Sequence, residues 1–299
     1  MRLKRTKAAA AAVGLGLALS ACGGSAGEPE TGAEGAEAPE WEVVESPEFE
    51  AGTAMAELAE AGEVTIGVKF DQPGLGFKGA TDDMPSGFDV ELAKMLAGQL
   101  GIAAEDITFE ETISDNREPY LQQGRVDLVL ATYSITDERR QIVGQTGPYL
   151  ITGQQVLVPA DSDVEGIEDL QGEEVCAAAG STSLENVEAE GAVPAPADNY
   201  AACVDDVLNG TVPAMSTDGA ILLGYAAEQE GELKVVGDEF SEERIGVGYS
   251  KERPEMCEFI NDALQASFDD GTWAEAYEYT LGGEGVEVPD PPALDDCQA

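Results

Sequence analysis

The stretch VDLVLATYSITDERR, residues 126–140, decides the fold. Its first half is an apolar run suited to a buried strand, and it ends in the hydroxyl residues Thr132 and Ser134. Thr136 then reads as a helix N-cap. Asp137 and Glu138 follow in the first turn, where their charge complements the helix dipole. Ligands of open α/β sheets bind beyond the carboxyl ends of strands that turn into helices in this way. Hydroxyls, helix N–H groups and the fork of Arg139 together make a candidate anion site, because arginine grips a carboxylate through two parallel hydrogen bonds. Taken alone, the same residues also fit an exposed arginine paired with a surface acid.

Outward from this turn, strand and helix patterns alternate. EVTIGVKF (63–70), ITFEET (107–112), EEVCAAAG (173–180), VPAMSTDG (212–219), LKVVG (233–237) and IGVGYS (245–250) read as strands. GFDVELAKMLAGQLG (87–101) reads as a helix, with Phe88, Leu92, Leu96 and Leu100 on one face. Further helices are expected at 116–123, 183–191, 199–210 and 220–229, and a pair broken near Gly271 closes the chain. Repeated βα units predict an α/β architecture with a mostly parallel sheet.

Three more loops fall at strand ends. Lys69 ends the first strand and offers a cation. Gly180-Ser181-Thr182-Ser183 opens a helix, with Thr182 and Glu185 fitting a capping box. Asp218 follows a strand in STDGA and offers an acceptor. Each also fits a plain cap, turn or strand-end residue. Together they supply donors for two carboxylates and an acceptor for one ammonium, which is the pattern of an acidic amino acid.

The 299 residues hold 60 Asp+Glu against 15 Lys+Arg, a net charge of −45, so nucleic acid and anionic lipid headgroups are poor partners. Such an excess solvates a surface, and it also suits a saline habitat, where screening tolerates self-repulsion. There is no histidine, which excludes Ser-His-Asp and Cys-His catalysis within the chain and removes the commonest metal ligand. No cofactor or metal is expected. Four basic residues, Arg2, Lys4, Arg5 and Lys7, precede a short apolar stretch and the sequence Leu19-Ser20-Ala21-Cys22. Residues 1–21 therefore read as a lipoprotein signal peptide, with Cys22 as the lipidation site. Residues 22–57, rich in Gly, Ala, Glu and Pro, read as a disordered acidic tether. Cys176, Cys203, Cys257 and Cys297 suggest two disulfides out of three connectivities.

The stretches GFDVELAK, VDLVLATYSITDERR, GPYL, VCAAAGSTS and STDGAILLGYA resemble, in order, the extracellular solute-binding proteins of polar amino-acid ABC transporters, family 3. IGVKFDQPGLG and DDGTW resemble its actinobacterial glutamate-binding lipoproteins. The resemblance implies a type II periplasmic-binding-protein-like α/β fold of two lobes joined by two crossover strands. Lobe 1 would be 58–153 plus 246–299, and lobe 2 would be 154–245. Residue by residue it implies that Ser134 and Arg139 hold the α-carboxylate, with Ser181 and Thr182 adding contacts. Thr132, where the family often has Gly, would offer its carbonyl to the ammonium, and Asp218 its carboxylate. Lys69 would favour glutamate or aspartate over glutamine, with Arg117 as a further candidate and Arg140 solvated. The two-lobed layout implies the within-lobe disulfides Cys176–Cys203 and Cys257–Cys297, since cross-pairing would block closure. It also implies a monomer that is exported, lipid-anchored to the outer face of the cytoplasmic membrane, and engaged with ABC permease subunits. A lipid-anchored amino-acid sensor and a dehydratase-like enzyme on the same fold are the alternatives.

Overall fold

The computed structural model describes residues 38–282 and 286–297. The expected signal peptide, Cys22 and the first part of the expected tether lie outside them. In chain order the elements are α1 (Ala54–Ala61), β1 (Val64–Val68), β2 (Asp71–Gln72), β3 (Gly76–Phe77), α2 (Phe88–Gln99), β4 (Ile107–Glu111), α3 (Arg117–Gln122), β5 (Leu128–Ser134), α4 (Asp137–Arg140) and β6 (Gly144–Thr152). They continue as β7 (Gln154–Pro159), β8 (Glu174–Ala178), α5 (Thr182–Ala189), β9 (Val193–Ala197), α6 (Tyr200–Leu208), β10 (Ala214–Asp218), α7 (Gly219–Glu228), β11 (Leu233–Val236), β12 (Glu243–Tyr249), α8 (Met256–Asp270) and α9 (Thr272–Thr280).

Two five-stranded sheets, ordered β4-β1-β5-β12-β6 and β11-β7-β10-β8-β9, form the cores of two lobes. Each is mixed rather than mostly parallel. β1 runs parallel to β4 and β5, and β8 runs parallel to β9 and β10. β6, β7, β11 and β12 join the sheets antiparallel, because these strands lead into and out of the other lobe. The first crossing is Gly153, between β6 and β7; a Cβ there would meet the Glu239 side chain at 2.5 Å. The second crossing runs beside it, with Phe240 N donating to Gln154 O at 3.0 Å. Glu243 pairs with Thr152 in the first sheet, so the return to the first lobe precedes residue 246.

The expected face of α2 is buried: Phe88, Leu92, Leu96 and Leu100 are at most 1% exposed. So are Val90, Ala93 and Ala97, because α2 is covered on its outer side as well. What covers it corrects the expected tether. From residue 38 the chain lies on the first lobe, with Trp41 Nε1 donating to Glu91 Oε2 at 3.1 Å and Val44 N to Gly98 O at 2.9 Å. Phe49 packs edge-on against Phe259, and α1 starts at Ala54 behind a Thr53 cap. A few aromatic and apolar side chains in an acidic stretch suffice to dock it.

Trp273 anchors the opposite side, fully buried against Phe88, Phe268 and Tyr277, with its Nε1 donating to Tyr149 O at 2.9 Å. Disulfides join Cys176 to Cys203 in the second lobe and Cys257 to Cys297 in the first. The C-terminal segment is held further by Asp295, whose carboxylate lies 2.6 Å from both Arg140 and Arg244. Arg140 is therefore paired, not solvated, because the chain's end returns to it.

Candidate functional site

The carboxyl ends of β1 and β5 in one lobe face those of β8 and β10 in the other. The narrow cavity between them is lined by Gln72, Ser114, Arg117, Thr132, Ser134, Ser181, Thr182, Ser183, Tyr200, Asp218 and Ile221. Of the residues expected from sequence, Arg117, Thr132, Ser134, Ser181, Thr182 and Asp218 are thus brought together. Lys69 and Arg139 stand just behind the lining.

Arg139 is placed by its own turn. Thr136 caps α4 through Oγ1, accepting from Arg139 N at 3.2 Å. α4 is a single turn, so its dipole contributes little and its main effect is to aim the guanidinium. Arg139 Nη1 donates to Ser134 O at 2.7 Å, Nη2 to Gly180 O of the other lobe at 3.0 Å, and Nε lies 3.3 Å from Glu118 Oε1. Arg117 meets it there. Its Nη2 donates to Gly180 O at 3.1 Å and its Nη1 to the carbonyls of Ala131 and Thr132, each at 3.2 Å. Tyr133 offers its ring to both guanidiniums, with centroids 4.5 Å from Arg117 and 5.0 Å from Arg139. Burial, and then the charge of Arg139, push Arg117 down to about 10. Lys69 is 1% exposed, donates to Ser114 Oγ at 2.8 Å, and is pushed down to about 7 by burial and next by Arg117. Three basic groups thus share one end of the cleft.

Acceptors hold the other side. Asp218 is 4% exposed, and its Oδ1 accepts no hydrogen bond from the described residues. Burial raises its carboxyl to about 8, with Glu243 adding to the rise and Arg117 and Arg139 opposing it. Asp89 lies deeper, raised to about 6 by burial against hydrogen bonds from Tyr149 and Thr132.

Thr132 has φ +46°, a left-handed conformation that costs a β-branched residue strain. Asp89 accepts from its N–H at 2.8 Å, and its hydroxyl donates to Gln72 Oε1, so side-chain hydrogen bonds hold it there. The Gln72 carboxamide is oriented by that contact, leaving its buried Nε2 without a partner among the described residues.

In the second lobe the helix cap falls on Ser181, not Thr182: Ser181 Oγ accepts from Leu184 N at 3.3 Å. Thr182 is freed to reach across. Its Oγ1 lies 3.2 Å from Ser134 Oγ and donates to Glu243 Oε2 at 3.1 Å. Sequence reasoning missed Gln72, Ser114, Tyr200, Ile221, Asp89 and Glu243. Gln72 sits in the already marked turn after Lys69, which was a usable signal. Tyr200 and Ile221 enter from helices of the other lobe and carried none. Among the described residues, no group of three or more His, Cys, Asp and Glu side chains is arranged to hold a metal ion.

Residues 64–283 match the profile of the bacterial extracellular solute-binding proteins, family 3. The chain is 35% identical to the glutamate-binding protein GluB of Corynebacterium efficiens, over 94% of this chain and 92% of that protein. It is 31% identical to the glutamine-binding protein GlnH of a Bacillus subtilis ABC transporter, over 78% and 86% of the two chains. A solved structure of an ancestral arginine-binding protein bound to glutamine superposes with a TM-score of 0.69 at 34% identity, covering 74% of this chain and 98% of that one.

Proposed function

The chain belongs to family 3 of the bacterial extracellular solute-binding proteins, and on that premise we propose that it binds L-glutamate in the cleft between its lobes and delivers it to an ABC importer. The observation that carries the ligand is the pairing of three buried basic side chains, Lys69, Arg117 and Arg139, with an Asp218 oxygen that has no partner among the described residues, across the same small cavity. Two carboxylates and one ammonium satisfy both ends. Arg139, Ser134 and Thr182 would hold the α-carboxylate, with Ser181 beside them. Asp218 and the Thr132 carbonyl would hold the ammonium. Arg117, Lys69 and Ser114 would take the second carboxylate, whose charge would return Lys69 to its cationic form.

The mechanism is binding without covalent chemistry. Ligand contacts from both lobes favour the closed arrangement, and the water excluded on closure strengthens each charge pair. The closed monomer would be presented to the permease subunits while a diacylated Cys22 holds it at the outer face of the membrane. No helix among the described residues is long and apolar enough to cross a membrane.

Titration calorimetry with glutamate, aspartate, glutamine and arginine tests the ligand. Glutamate should bind tightest, and Lys69→Met should remove most of its advantage over glutamine. A wild-type preference for glutamine or arginine would overturn the assignment.

A further inference from the structure

The turn that carries Gln72 also carries Asp71, which the cavity does not use. Asp71 belongs to the first lobe, yet its carboxylate is bonded to the second. Its Oδ2 accepts from Tyr200 N at 2.9 Å and from Ala201 N at 3.4 Å, at the start of α6, and lies 3.5 Å from Tyr225 Oη on α7. The Tyr225 hydroxyl also donates to Asp71 O. α6 has its own cap, Asn199, which reaches only Ala202 N, at 2.9 Å. Asp71 satisfies the two amides before it. Beside this contact Gly224 of α7 lies against Pro73, and a Cβ on Gly224 would overlap the Pro73 carbonyl.

From this geometry we infer that Asp71 is a positioning residue for closure, a latch that grips the second lobe's α6 and α7 without touching the ligand. The inference rests on the reading of the chain as a closing amino-acid binder. Amides at a helix start carry partial positive charge and lack intrahelical partners, so a carboxylate satisfies them well. In an opened molecule both sides would return to water, so the contact stabilises the closed state alone. Lys69 lies two residues before Asp71 and Gln72 directly after it, so a ligand held by that turn also holds the latch in register. A contribution confined to the closed complex appears in the rate of release rather than of capture.

Stopped-flow displacement and calorimetry on Asp71→Ala and Tyr225→Phe test this. Asp71→Ala should release glutamate about ten- to a hundredfold faster, the loss expected for hydrogen bonds to a charged group. Association should stay within about twofold, as is usual among mutants of one interface. The melting temperature of the ligand-free protein should not change, and Tyr225→Phe, which removes no charge near Lys69, should keep the ratio of glutamate to glutamine affinity. Tyr225→Phe should move release in the same direction by less. An unchanged release rate overturns the latch. So does an affinity ratio altered by Tyr225→Phe, which would make this contact part of the ligand site, or a lowered ligand-free melting temperature, which would make its role one of folding. A wild type that closes on glutamine but not glutamate, read by small-angle scattering, sinks the ligand assignment instead, and the latch is then judged on glutamine release. A wild type that holds no amino acid, with a scattering radius that Asp71→Ala leaves unchanged, overturns both.

Discussion

Arg139 and Arg140 are neighbours in sequence with opposite surroundings. Arg140 faces the returning C-terminal segment and pairs with Asp295, whereas Arg139 points into the cleft and bonds carbonyls of both lobes. On the proposed function, Arg139→Ala should cost about 3–5 kcal/mol of glutamate affinity, because it leaves a buried carboxylate unpaired; calorimetric titration checks this. Arg140→Ala should leave affinity nearly unchanged. Asp218 makes a pH prediction. Its folded-state value is raised to about 8, so between its unfolded value near 4 and pH 8 the folded chain keeps a proton that the unfolded chain has released. The stability of the wild type relative to Asp218→Asn should therefore be highest near pH 4 and fall as pH rises to 8. Chemical denaturation across that range reads it, and a difference independent of pH would contradict the burial argument.

At the scale of elements, the loop between β8 and α5 shows why single positions matter. Gly180 has φ +74°, and a Cβ there would come 2.8 Å from Asp115 Cα in the other lobe. Gly180→Ala combines left-handed strain of about 1–2 kcal/mol with an obstacle to closure. Ligand affinity should fall further than the ligand-free melting temperature implies, and scattering should show a smaller contraction on adding ligand. The N-terminal segment on α2 gives a second element-scale test. Trp41→Ala removes both an apolar cover and the bond to Glu91, and should cost about 1–3 kcal/mol in a denaturant melt. A stability unchanged by that substitution would mean the segment contributes nothing by lying there.

Across the whole molecule, neither disulfide joins the lobes. Reduction should lower stability by about 2–4 kcal/mol per bridge, through freed chain entropy, while leaving the cleft able to close on ligand. A net charge of −45 opposes compaction, so the melting temperature should rise between low and molar salt; a flat response would remove the saline-habitat reading. The α/β alternation, the long face of α2 and the polar turns at strand ends were legible in the sequence, because periodicity and charge in the wrong place for burial are local signals. The crossover strands β6 and β7 were not, since they alternate weakly and their partners lie far along the chain, Glu243 for Thr152 and Met215 for Leu157. VPAPA at β9 also escaped notice, because prolines hide a strand that sits at a sheet edge. Sequence by itself determined the α/β class, the family and which turns carry polar groups. Only the tertiary structure decided the depth of Lys69, the convergence of Arg117 with Arg139 on Gly180, and the grip of Asp71 on α6. Each of those depends on burial and on distances between the two lobes, which no local pattern encodes.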